Sequence, residues 1–335
     1  MERGKGRLSN IELLRILAIV MIVMMHGAGC LLGTTDLPNR IGLTAINSVG
    51  NMGVTTFMLI SGYFGIHFRW SRLWGIWAMA LFYSLVVLAV DVFVFSDSFS
   101  WLSLYHAITP VTSRRWWFLT CYVVIFCLAP FLNRAVTGLP KRQMEALLGV
   151  LFFFFVVSPT FLRNTLTDDM EGKGLPNLIL AYLVGQYLAR YELPAVLLRH
   201  CGKLFLASVL LTFTASFVAG AVSPKSTILF CKDNNVLIVA GAVFLFCWFR
   251  QHTFHSAVVN ELAGFVFPLY LVNYSVLHYF RQLLIDRTDQ LDFWPVYLMA
   301  LATTILVALV VELVRRLTLS KVIDYIGRRI SVYDR

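Results

Sequence analysis

Ten apolar stretches, most of them near twenty residues long, recur from end to end of this 335-residue chain. Wound as a helix, a run of about 20 residues matches the roughly 30 Å hydrocarbon core of a bilayer. Inside lipid every backbone N–H and C=O must find its partner within the chain, so only helices and closed barrels can span. A barrel needs strands that alternate polar and apolar residues, and these stretches do not alternate. The pattern predicts an all-α polytopic membrane protein, a bundle of about ten transmembrane helices. They run over 10–30, 42–65, 73–95, 115–133, 143–162, 175–190, 203–222, 234–249, 257–280 and 293–314. The linkers leave no room for a soluble domain of about 50 residues, the lower end of ordinary domain sizes. Residues 1–335 therefore read as a single membrane domain.

Charge orients the bundle. The net charge of +10 raises nucleic acid as a partner, but its distribution argues against one. With the N-terminus in the cytoplasm, 18 of the 28 Lys and Arg fall on cytoplasmic segments and nine on outer ones, with Arg15 inside the first span. Cytoplasmic loops carry just such an excess, so ten spans with both termini cytoplasmic are expected, and no nucleic acid. Glu12 and Arg15 interrupt the first apolar stretch and no small-x-small site follows it cleanly, so it is expected to be retained rather than cleaved. The basic, partly amphipathic tail 315–335 suits the anionic inner leaflet. The six cysteines show no metal or redox spacing, and no His cluster with Cys or acids offers a metal site. Cys30 and Cys231 both fall toward the outer side, where a disulfide is chemically open. No internal repeat of the kind that builds many transporters is evident.

Within the first span, Arg15 and His26 stand eleven residues apart. That is three turns and roughly 20°, so both lie on one helix face, about 16 Å apart along the axis. An ionisable residue in a span is costly and marks a functional site by default. Glu12, three residues before Arg15, is within pairing reach. The Glu12–Arg15 pair reads equally as an inner-surface anchor. A neutral imidazole at His26 can deprotonate a hydroxyl or attack a thioester.

The run Glu12-Leu13-Leu14-Arg15 followed after ten residues by His26 resembles the integral-membrane acyltransferase-3 family, which O-acylates bacterial surface glycans. Three further stretches are similar to that family in the same order. They are Phe57-Met58-Leu59-Ile60-Ser61-Gly62-Tyr63-Phe64, then Trp116-Trp117-Phe118-Leu119-Thr120-Cys121-Tyr122 continuing to Pro130-Phe131-Leu132-Asn133, and Phe267-Pro268-Leu269-Tyr270-Leu271-Val272-Asn273. The resemblance covers essentially the whole chain. It departs at Asn273, where the family usually has His; an amide cannot titrate near neutral pH. It departs again at Gly53-Val54-Thr55-Thr56, which lacks an acid found there in polysaccharide-modifying relatives.

The resemblance implies a multi-pass protein of the bacterial inner membrane that moves an acyl group, expected to be acetyl. The donor is expected to be cytoplasmic acetyl-CoA, a co-substrate rather than a bound cofactor. The acceptor is a hydroxyl of a surface polysaccharide or lipid-linked glycan. On this reading Arg15, oriented by Glu12, holds the donor, and His26 carries the transfer as nucleophile or base. Arg69 and Arg72 clamp coenzyme A phosphates or serve only as topology signals. Ser61 and Gly62 shape an acyl channel or allow close helix packing. Of Trp116 and Trp117, one is expected as an outer-surface anchor and the other against a sugar ring, with Arg114 and Arg115 beside them for an acidic sugar or phosphate. Tyr122, Tyr270 and Asn273 complete the candidate channel. Glu261 either pairs with an Arg such as Arg15 or lies near the inner surface. A transporter or flippase of a lipid-linked saccharide is the alternative class; it leaves the Arg15–His26 face unexplained.

Overall fold

Small residues decide how closely these helices approach, because lipid supplies no hydrophobic drive between apolar surfaces. In the computed structural model, which describes residues 7–29, 31–32, 37–95, 98–113, 116–162, 167 and 169–334, all regular structure is helical and no strand occurs among the described residues. Helix α1 is Ser9–Gly29, α2 is Leu37–Gly50 and α3 is Met52–Phe64. Then come α4 (Trp70–Phe93), α5 (Trp101–Ile108), α6 (Trp117–Thr137) and α7 (Lys141–Phe152), which continues as a π-helical stretch over Phe153–Leu162. They are followed by α8 (Leu175–Arg190), α9 (Ala195–Val222), α10 (Val236–Gln251), α11 (Ala257–Leu262) and α12 (Val266–Ile285). Helices α13 (Phe293–Thr318) and α14 (Ser320–Ile330) close the chain.

Among the described residues, eight helical segments are long and apolar enough to cross a membrane. They correspond to eight of the ten expected spans. The other two, α8 and α10, are 16 residues each, about 24 Å at 1.5 Å per residue. Both bury one side against α3 or its neighbours, through Leu178, Tyr182 and Gly185 of α8 and Ile238, Ala242 and Phe246 of α10. Protein rather than lipid covers much of their surface, which is why they can be short.

Gly62 of α3 and Gly185 of α8 face one another. A Cβ on Gly62 would overlap the Tyr182 carbonyl, and one on Gly185 would stand 2.8 Å from the Tyr63 nitrogen. The two backbones are in contact, a distance that only glycine permits. Likewise a Cβ on Gly53 would stand 2.8 Å from the Ala18 carbonyl, so α3 also lies hard against α1. Helix α1 buries Ile11, Leu14, Ala18, Ile22 and Val23 in this contact.

A chain of polar contacts gathers six chain segments at one end of the bundle. Arg7 donates to the Asn260 carbonyl (2.8 Å), Asn10 to the Phe249 carbonyl (2.9 Å), and Arg250 pairs with Glu192 (3.6 Å). Arg190 donates to the Val136 carbonyl (2.7 Å), Asn133 to the Ile66 carbonyl (2.9 Å), and Asp334 accepts from the Trp70 amide (2.5 Å). N- and C-terminal segments therefore share a face. These are the segments that carry the excess of Lys and Arg. At the opposite end Asn39 donates to the Thr288 carbonyl and Lys232 pairs with Glu171.

The tail, expected on the inner leaflet, also packs against protein. Its helix α14 docks on the start of α4, where Trp74 Nε1 donates to the Ile323 carbonyl at 3.2 Å and Asp334 bonds Ser71. Glu261 is exposed, whereas Glu312 on α13 is a buried acid, 1% exposed. Its carboxylate takes hydrogen bonds from Arg315 and Arg316 at 2.8 Å and from Tyr83 at 3.1 Å. A carboxylate this deep is tolerable only with such partners. Cys231 is a free thiol buried against Ser216; Cys30 lies outside the described residues, as do Arg114 and Arg115.

Candidate functional site

Helix α1 presents Arg15 and His26 toward two different neighbourhoods. Arg15 lines a cavity of about 280 Å³ in the bundle interior. The cavity runs between α1, α3, α4, α6 and the α11–α12 corner. Ser61 of α3, Tyr122 of α6 and Tyr270 of α12 share its wall, so four sequence-predicted residues from four helices converge. Phe57, Phe118 and Phe267 are among its apolar walls. Each of the three stands in a stretch quoted above, but aromatic residues are so frequent in this chain that none singles itself out.

Polar groups punctuate the cavity. Glu12 holds Arg15 at 3.6 Å, with the arginine side chain 37% exposed and the carboxylate 14%. The guanidinium therefore keeps donors free for a ligand. Ser61 bonds its own helix at the Phe57 carbonyl (2.9 Å) and also meets the Tyr122 hydroxyl. The Tyr270 hydroxyl accepts from the Leu119 amide at 3.3 Å, which fixes the start of α6 against α12. Gly62 points away from the cavity, into the α3–α8 contact, so its role here is packing.

His26 lies one turn beyond Ile22, itself a wall of the cavity. Its Nδ1 stands 2.6 Å from Asn273 Oδ1. The Asn273 amide nitrogen donates to the Tyr270 carbonyl at 2.6 Å and to the Leu269 carbonyl at 3.3 Å. Carbonyls only accept, so these bonds fix which end of the amide meets the imidazole. Oδ1 then accepts from Nδ1–H, and in the neutral ring the lone pair resides on Nε2. Asn273 thus does for His26 something no titration is needed for. The imidazole also meets the Tyr274 ring edge-on at 6.3 Å. Helix α12 continues twelve residues past Asn273 to Ile285, about 18 Å of rise, so His26 lies well inside the bundle.

The two tryptophans do not form a surface belt. Trp116 is 4% exposed and donates Nε1 to the Leu271 carbonyl at 3.1 Å. Trp117 is half-buried beside Phe118. Trp116 is therefore not the one of the two that meets the surface. Helix α6 starts at the depth of Tyr270 and Leu271, inside the bundle rather than at its surface, which is the physical reason.

Arg69 and Arg72 are exposed and flank the first turn of α4. That turn carries a carboxylate already. Asp334 accepts from the Trp70 amide and from Ser71 Oγ, both at 2.5 Å. The Ser71 hydrogen bond foremost, then the Trp70 amide and the Arg69 charge, hold the Asp334 carboxyl below its ordinary range. A helix N-terminus favours an anion, and here that anion is the chain's own Asp334. The segment leading there is tied by Asn133, whose Oδ1 accepts from Tyr182 at 2.7 Å and from Gln186, while its amide nitrogen bonds the Ile66 carbonyl. The sequence reading assigned no role to Tyr182, Gln186 or the Asn133 side chain. Asn133 was visible only as the end of a motif. Among the described residues no group of His, Cys, Asp and Glu could hold a metal ion.

The family model of an acyltransferase domain (Acyl_transf_3) matches residues 8–313. Neither a curated protein nor a solved structure matches the chain.

Proposed function

The chain belongs to the acyltransferase-3 family of membrane acyltransferases, and from that premise we propose that it transfers an acetyl group from acetyl-CoA to a hydroxyl of a surface glycan or lipid-linked saccharide. We place its activity in a bacterial inner membrane, with the face that gathers both termini toward the cytoplasm. The observation that carries the reading is the hydrogen bond from His26 Nδ1–H to Asn273 Oδ1, one helix turn from the end of a cavity that contains Arg15.

At 280 Å³ the cavity falls just below the usual range for a drug-sized ligand, roughly 300 Å³ and up. It suits the acyl-pantetheine arm and leaves the nucleotide end of coenzyme A outside. Arg69 and Arg72, at the face where both termini meet, are placed to take its phosphates as bidentate donors. Arg15 takes a polar group of the arm. The thioester then reaches toward His26 past Ile22 and Tyr270.

In the transfer, Nε2 of His26 accepts the proton of the acceptor hydroxyl as its oxygen forms a bond to the thioester carbonyl carbon. The carbon–sulfur bond breaks, and the departing thiolate takes the proton from Nε2. Ester and free thiol are the products, and the imidazole returns to its starting tautomer. Attack of Nε2 itself on the thioester, giving an acyl-imidazole, uses the same lone pair. Ping-pong kinetics distinguish it from the ternary route.

The test is mass spectrometry of surface glycans from a deletion strain complemented with the wild-type protein or with His26→Ala, both checked for equal membrane abundance. Restoration of an acetyl mass by the wild type alone supports the proposal. Restoration by both removes His26 from the reaction, and loss of glycan export without any change in acylation points to the flippase.

A further inference from the structure

Helix α4 begins without a cap of its own. Its N-cap residue is Arg69, in extended backbone, and the Arg69 side chain makes no capping bond. A guanidinium carries donors only, so it cannot take the orphan amides of a first helical turn. Its charge also has the wrong sign for that end of the helix dipole. Arg69, Trp70, Ser71 and Arg72 therefore bring amides, a hydroxyl and two cations together at a place that calls for an anion from elsewhere in the chain or from a ligand.

Asp334 reaches this turn from 264 residues away in sequence. Its Oδ1 accepts from the Trp70 amide at 2.5 Å and from the Ser71 amide at 3.4 Å, and its Oδ2 accepts from Ser71 Oγ at 2.5 Å. The Arg69 charge acts on the same carboxylate. Two oxygens of a phosphate would meet the same three donors. Ile330, four residues earlier, shares an apolar groove with Trp70, Trp74 and Trp77, which holds the segment on α4. Residues 331–334 themselves are not buried, so they can lift away without opening the core.

This anion site adjoins the donor cavity. Arg72 stands one turn before Ile76, which is part of the cavity wall. The Tyr122 hydroxyl, on another wall, lies within electrostatic reach of both Arg15 and Arg72. A donor whose pantetheine arm fills the cavity brings its phosphates to the turn that Asp334 occupies.

We propose that residues 331–334 form an autoinhibitory strap, in which the Asp334 carboxylate stands where a coenzyme A phosphate binds and must leave before the donor is fully seated. The inference rests on the placement of coenzyme A phosphates at Arg69 and Arg72, and it adds a competitor built into the chain. The apparent affinity for the donor is then set by the fraction of molecules whose strap is open.

The experiment uses full-length protein in nanodiscs and two donors, acetyl-CoA and S-acetylpantetheine, which has the same arm and no phosphate. Asp334→Asn keeps an oxygen that can cap the α4 amides and removes the negative charge. It should lower the acetyl-CoA KM about fivefold, the order expected when charge-assisted hydrogen bonds become neutral ones. The S-acetylpantetheine KM should stay within about twofold. A second measurement needs no variant: coenzyme A added to the wild type should speed amide hydrogen exchange over 331–334. An acetyl-CoA KM that is unchanged or raised in Asp334→Asn, or an equal fall for both donors, makes Asp334 a structural cap and overturns the strap while leaving the transferase intact. Exchange over 331–334 that is unchanged or slowed by coenzyme A overturns it as well. Failure of the wild type to consume either donor overturns the acyltransferase reading itself.

Discussion

Replacing Asn273 by Leu tests whether the His26 tautomer matters. The substitution keeps the branched outline of the side chain, though it is bulkier, and removes the acceptor 2.6 Å from His26 Nδ1. Nδ1–H is then left unpaired inside the bundle, at a cost of about 1–3 kcal/mol. The ring can escape that cost by moving its proton to Nε2, which abolishes the lone pair needed for base or nucleophile. At 1.36 kcal/mol per decade, the active tautomer becomes roughly 5- to 150-fold rarer. We expect kcat to fall by that factor. Because Asn273 does not line the donor cavity, the acetyl-CoA KM should stay within about twofold. Asn273→Asp keeps an acceptor oxygen at the same place and should retain activity within about tenfold of wild type. Thiol release from acetyl-CoA by reconstituted protein, followed over the substrate range with each variant, gives both constants. Wild-type kcat in Asn273→Leu, alongside an inactive His26→Ala, would refute the reasoning, because the ring would then find its working tautomer without help.

Other outcomes follow from the packing and the charges. Gly62→Ala should prevent stable assembly or cost at least about 3 kcal/mol, read by thermal unfolding in detergent, since its Cβ meets the rigid Tyr182 backbone and not a side chain that can turn. Glu312→Ala should destabilise by roughly 3 kcal/mol through stranding Arg315, whose side chain is 12% exposed, and the double change with Arg315→Met should recover part of that. Burial first of all pushes the Asp233 carboxyl up to about 7, and its Oδ1 has no hydrogen-bond partner among the described residues. A folded value above the unfolded one means stability that is full below pH 4 and lost as pH rises through 7. Asp233→Asn should therefore be more stable than wild type at pH 8, by up to about 4 kcal/mol, with the difference shrinking steadily on acidification. Acetyl-CoA at about 100 times its dissociation constant should protect the folded protein by about 2.7 kcal/mol in the same assay.

The sequence by itself determined the fold class, the order of the apolar helical segments, and the partition of charge between the two ends of the bundle. Apolar length and positive charge are one-dimensional quantities, and the bilayer converts them directly into spans and sides. It also placed Arg15 and His26 on one face of α1, since helical phase depends only on residue number. Tertiary structure decided what each side chain meets. Asn273 looked like the loss of a titrating residue, but three hydrogen bonds make it the group that orients His26. Gly62 and Ser61 are adjacent in sequence yet face a neighbouring backbone and a cavity respectively. Glu312 proved to be a buried acid and Glu261 an exposed one, because burial depends on which helices surround a residue and apolar neighbours in sequence do not report that. Sequence did not choose which of Trp116 and Trp117 lies inside; the start of α6 at the depth of Tyr270 buries Trp116. Pairings across α1, α4, α6 and α12 join residues up to about 250 positions apart, as His26 and Asn273 are with a separation of 247. No periodicity along one helix encodes such partners; the packing of several helices at once selects them.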